Sequence, residues 1–136
     1  MERHDDPTID DELLWRRAPY EWLRRYESDQ MVPTSLVFSD RRSGEVSVVL
    51  ASVADKQHIL AQYPQHSLVE VRAGVPRREG CLLVRDPICN DPSQPDEPAH
   101  ALICPPHGQK QLSKAAARTS ARAARVIELR EPLGNQ

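Results

Sequence analysis

The fold class predicted from the sequence is α+β: a mostly antiparallel sheet with flanking helices, one of them a long, basic, amphipathic C-terminal helix. Three observations lead there. Short runs rich in β-branched residues recur between turn residues, Asp55 stands at a helix-start signal, and a 3.6-residue period runs from Gln109 to about Leu129.

Residues 1–10 are acidic, contain Pro7 and lack periodicity, so they read as a flexible arm ahead of a single domain over 11–129 and a tail over 130–136. Leu13, Leu14 and Trp15 open a first strand, and Pro19 suits the first position of a short helix carrying Trp22 and Leu23 inward. TSLVF (34–38) and EVSVVLA (45–51), joined by the polar turn SDRRSG, predict a hairpin. Ser52 and Asp55 start a helix that Pro64 stops after Gln62, with Val53, Ile59 and Leu60 inward. SLVEVRA (67–73) alternates, with Val69, Val71 and Ala73 on one face, as a half-buried strand does, and CLLVRD (81–86) and HALIC (100–104) are the next strands. In the last segment Leu112, Ala115, Ala116, Thr119, Ala123, Val126 and Ile127 form one helical stripe. Lys110, Lys114, Arg118, Arg122 and Arg125 form another.

Composition narrows the function classes. Aromatic residues make up 4% of the chain and mean hydropathy is −0.60, so a core must be built from Leu, Val, Ile and Ala. No apolar run reaches the ~20 residues that span a bilayer and no signal peptide is recognisable, so a cytoplasmic protein without a membrane role is expected. Three cysteines without an export signal point to reduced thiols rather than a disulfide framework. The net charge of −2 conceals opposite ends: six acids among residues 1–12, and five bases with no acid among 110–125.

Four groups of residues carry chemistry. In the proline-rich stretch 85–108, Cys89, His100, Cys104 and His107 have the donor types of a zinc site. On a strand, however, His100 and Cys104 lie about 13 Å apart, too far for one ion, so a buried cysteine and ordinary loop histidines are preferred and no cofactor is expected. Asp86 and His100 close the two ends of the same loop, and an aspartate that orients a histidine supports proton transfer, although a loop-fixing bond serves them equally. Arg16 and Arg17, with Thr34 and Ser35, offer guanidinium forks and hydroxyls to a phosphate. The order LWRR, Ser35, Glu45 resembles loosely the Arg, Ser, Glu order of ADP-ribosyltransferase-like folds, which implies NAD chemistry; solvated surface arginines are the plainer account. The basic stripe faces a protein partner or, less in keeping with the net charge, the scarce aromatics and the acidic arm, a nucleic acid.

LWRR (14–17) with Trp22, PTSLVF (33–38), VSV (46–48), VRDP (84–87) and PAHALI (98–103) together resemble the pattern of a family of small bacterial proteins that carries no assigned activity. The resemblance spans about 13–104 and points to Arg16 or Arg17, Ser35, Asp86 and His100 rather than to Cys89, Cys104 or His107. The expectation that follows is an accessory protein acting through a protein partner, its charged ends forming the contact surfaces. The enzyme alternative is phosphate-ligand or NAD chemistry at Arg16, Arg17, Ser35 and His100.

Overall fold

The computed structural model describes residues 4–6, 10–40 and 43–132. Its strands are β1 (Leu13–Ala18), β2 (Leu23–Arg25), β3 (Met31–Pro33), β4 (Val46–Leu50), β5 (Ser67–Arg72), β6 (Leu82–Arg85), β7 (His100–Cys104) and β8 (Arg125–Glu128). Its helices are α1 (Lys56–Gln62), α2 (Gly74–Arg78) and α3 (Lys114–Ala123). Six strands make one sheet in the order β6-β7-β4-β1-β5-β8, every neighbouring pair antiparallel, while β2 and β3 form a separate ribbon. The α+β class with an antiparallel sheet is therefore the architecture. No helix among the described residues is long and apolar enough to cross a membrane.

Alternation along β1 sends successive side chains to opposite faces, and both faces are covered. On one, Leu14, Val48, Val71, Leu83 and Ile103 join Val37, Phe38 and the alanines Ala116, Ala117 and Ala121 of α3 in the main core. On the other, Ile59 and Leu60 of α1 pack on Leu68 beside Trp15 and Val49. Helices thus lie on both faces. This is why β5 is buried along five of its six residues instead of the half expected from its alternation.

Residues 34–38 are not a strand. Ser35–Phe38 form a 3-10 turn in which Val37 donates to the Thr34 carbonyl, and β4 pairs instead with β1 and β7. Val37 and Phe38 are adjacent and both fully buried, which a turn permits and a strand with one buried face does not. Gly44 ends the connection at φ 73°, where a Cβ would stand 1.9 Å from the Lys110 carbonyl oxygen, so the chain needs glycine there. After Pro19 the expected helix is a 3-10 turn, Tyr20–Trp22, and Leu23 already belongs to β2. At α1 it is Asp55 that caps, accepting from the Gln57 and His58 amides, while Ser52 donates to Glu12 and Val53 is exposed.

The long C-terminal helix is replaced by a ten-residue one and a strand. Ser113 caps α3 by accepting from Ala116 N–H; the helix closes at Ala124, whose backbone is extended, and Arg125–Glu128 pair with β5. Val126 and Ile127 fit the helical period, yet as β-branched residues they gain more from the edge of β5 than from another helical turn. The buried face of α3 is Ala116, Ala117, Ser120 and Ala121, with Ala115 and Ala123 exposed. The basic stripe breaks in consequence: Lys110 precedes the helix and Arg125 sits on β8.

The N-terminal arm lies partly outside the described residues, at 1–3 and 7–9, but its remainder is bound to the domain. Asp6 N–H donates to the Leu83 carbonyl and Leu83 N–H donates to the Asp5 carboxylate, so the segment runs along the outer edge of β6. Arg77, on α2, pairs with Asp5 at 2.9 Å and Asp10 at 3.2 Å.

Candidate functional site

Register places a row of side chains across the α1 face of the sheet. His100 stands opposite Val49, Val49 opposite Trp15, Trp15 opposite Glu70 and Glu70 opposite Arg125. Arg17, two residues along β1 from Trp15, lies opposite Leu68 on the same face. α1 contributes His58 and its C-terminal capping residue Tyr63, and the proline-rich loop contributes Gln94 to Glu97, around a cavity of about 100 Å³ that these groups line together with Trp15, Arg17, Val49 and His100.

The loop holds its shape through its own hydrogen bonds. The β6–β7 ladder continues past the strands, with Asp86 N–H donating to the His100 carbonyl and Ile88 and Glu97 bonding each other in both directions. At the tip Asp91 accepts from the Ser93 amide and hydroxyl and from the Gln94 side chain, while Asp96 accepts from Asn90 N–H. Those bonds to Gln94 and Ser93 draw the Asp91 carboxyl below its ordinary pKa.

Asp86 and His100 meet, as their places at the ends of neighbouring strands require. His100 Nδ1 lies 2.8 Å from the Asp86 carbonyl oxygen and 3.2 Å from its carboxylate. Both neighbours accept, so Nδ1 is the nitrogen that carries a proton here. The His100 side chain is mostly buried while that of Asp86 is half exposed.

Arg17 lies face-on to Tyr63, its guanidinium carbon 3.5 Å from the ring centroid, and its Nη1 donates to His66 Nδ1 at 3.3 Å. Tyr63 stacks on His66 in turn. Burial lowers the Arg17 pKa from its ordinary value, partly offset by Tyr63; burial and then the positive charge of Arg17 lower that of His66, so this imidazole is the neutral acceptor the geometry requires. Arg17 has no carboxylate partner among the described residues. Glu70, by contrast, is fully engaged: Oε2 accepts from Trp15 Nε1 at 3.0 Å, and Oε1 accepts from Arg125 at 2.9 Å.

The remaining sequence candidates lie elsewhere. Arg16 points into the opposite face, donating through Nε to the Val37 carbonyl and through Nη1 to the Ser47 carbonyl with its guanidinium over Trp22; burial first, then Arg17, lowers its pKa to about 10. Thr34 donates to the Trp22 carbonyl, and Thr34 and Ser35 line an open groove with Arg118 and Arg122 on the α3 side. The set Arg16, Arg17, Ser35 and His100 is therefore divided between two faces, with only Arg17 and His100 together. Cys89 is exposed on the loop, Cys104 is buried at the far end of β7 from His100, and His107 is exposed in the turn after it. Among the described residues no three His, Cys, Asp or Glu side chains form a group that could hold a metal ion.

Trp15, His58, Tyr63, His66 and Glu70 escape the sequence reading. One signal for them exists: His58, Tyr63 and His66 crowd nine residues of a chain otherwise poor in aromatic rings. No family model, no curated protein and no solved structure matches the chain, so the site stands on its own geometry.

Proposed function

We propose that the protein binds a small organic or inorganic anion in the cavity between the sheet, α1 and the proline-rich loop, with Arg17 as its counter-charge and His100 as the group that accepts a proton from it. The observation that carries this reading is Arg17. A half-buried guanidinium is costly without an opposite charge, and although Asp96 and Glu97 also line the cavity, neither forms an ion pair with Arg17, whose contacts are Tyr63 and a neutral imidazole. An anion entering the cavity would complete it.

The volume sets the class of ligand. At about 100 Å³ the cavity lies well below the size of a typical drug-sized ligand pocket, which suits a phosphate or a short carboxylic acid rather than a dinucleotide. Asp86 keeps a proton on His100 Nδ1, so in the neutral ring Nε2 is the nitrogen that can take a proton from an acidic ligand and return it.

The test is a titration of wild-type and Arg17→Gln protein with inorganic phosphate and with acetate, followed by two-dimensional NMR. Saturable shifts centred on the Trp15 indole and the Tyr63 amide, lost in Arg17→Gln, are expected. Shifts that survive the substitution, or none at millimolar anion, sink the reading.

A further inference from the structure

An open groove of about 640 Å³ lies between the β2–β3 ribbon and α3, away from the anion cavity. Arg24 enters it from the ribbon, Arg118 and Arg122 from α3. None of the three has a carboxylate partner among the described residues. α3 contains Lys114, Arg118 and Arg122 at successive four-residue steps and no acid, and like charges at that spacing weaken a helix. The groove also has an apolar lining, supplied by Val32, Pro33, Ala121 and Ala124.

We infer that this groove is a docking site for an extended acidic segment of a partner protein, one in which carboxylates alternate with apolar side chains. Spacing favours it. Arg118 and Arg122 are about 6 Å apart along the helix axis, and alternate side chains of an extended chain stand roughly 6.6 Å apart on one side, so each arginine meets one carboxylate. The intervening apolar side chains face the lining at Val32 and Pro33.

A nucleic acid fits less well. Base stacking along a strand needs several aromatic faces, and Tyr26 is the one aromatic ring among the residues that line the groove. The chain's net charge of −2 also works against long-range attraction of a polyanion, whereas a short acidic segment responds to the local arginines.

Fluorescence anisotropy decides the matter, with three labelled probes: a peptide alternating glutamate and leucine, its lysine–leucine counterpart, and a single-stranded oligonucleotide. The glutamate peptide is expected to bind with an affinity that falls as salt rises, and the lysine peptide not to bind. Arg118→Glu with Arg122→Glu is expected to weaken the complex by at least about tenfold. Arg24→Glu, on the other wall, is expected to do the same, and it keeps the test open should the double variant fail to fold. Failure of the glutamate peptide to bind, equal binding to wild type and both variants, or tighter binding of the oligonucleotide overturns the inference.

Discussion

Arg16 and Arg17 are one peptide bond apart and have opposite fates, because a central strand covered on both faces sends neighbours into different surroundings. Replacing Arg16 by Ala leaves the carbonyls of Val37 and Ser47 without their donor inside the main core, and a loss of about 2–3 kcal/mol is expected in urea unfolding. Arg17→Gln is expected to change stability by less than about 1 kcal/mol, since its hydrogen bond is to a neutral ring at a partly open site. Equal losses from the two would contradict the division of the faces. Glu70→Ala removes the acceptor for both Trp15 and Arg125 and is expected to cost about 2–3 kcal/mol, measured in the same way. His66 adds a pH dependence. Its folded pKa lies below the ordinary 6.5, so the unfolded chain takes up the proton first: this contribution to stability is intact above about 6.5 and is lost as pH falls from there toward the lowered folded value. In His66→Gln the decline of the urea midpoint across that window should be shallower; an identical decline assigns the effect to other groups. The Asp86–His100 pair was legible in the sequence because the ladder register of two adjacent strands carries it. The contacts of Arg17 were not, since Tyr63 and His66 approach it only after β1 is placed beside β5.

At the scale of the element, the boundary between α3 and β8 offers a direct comparison of two readings. A proline inside a continuous helix costs about 3 kcal/mol or more, but Ala124 is already extended at φ −89° and donates only a 3.3 Å bond to the Ala121 carbonyl. Ala124→Pro is therefore expected to cost only about 1 kcal/mol by thermal unfolding, and a loss of 3 or more would restore the long helix. Periodicity misled there because Val126 and Ile127 satisfy the helical spacing and the strand propensity at once, and pairing with β5, remote in sequence, decides between them. The run at 34–38 failed for a related reason: its β-branched composition reported a demand for burial, which a 3-10 turn against α3 meets. The strands β4 to β7 and helix α1 were readable because local signals, alternation or an Asp cap, agreed with the tertiary outcome.

For the whole molecule, the N-terminal segment and the sheet edge belong together. An unpaired edge strand is a template for association, and the bonds of Asp5 and Asp6 to Leu83 occupy part of the β6 edge. Deleting residues 1–6 is expected to raise self-association, seen as a larger sedimentation coefficient at increasing concentration, and a strictly monomeric truncation would show that the edge is protected by other means. The charged ends expected from composition thus find separate uses, the acids on Arg77 of α2 and the bases partly in the open groove. The strand order has one more consequence, for synthesis. β1 lies at the centre of the sheet, yet its neighbours β4 and β5 end at Leu50 and Arg72, and in the six-stranded sheet only β6 and β7 are both consecutive in the chain and adjacent in space. A chain emerging from the ribosome must keep LLWRRA without a partner until β4, about thirty residues later, has been made, and without its second flank until β5, about fifty residues on, which places this small domain among those whose folding is paced by loop closure over long distances rather than by its helices.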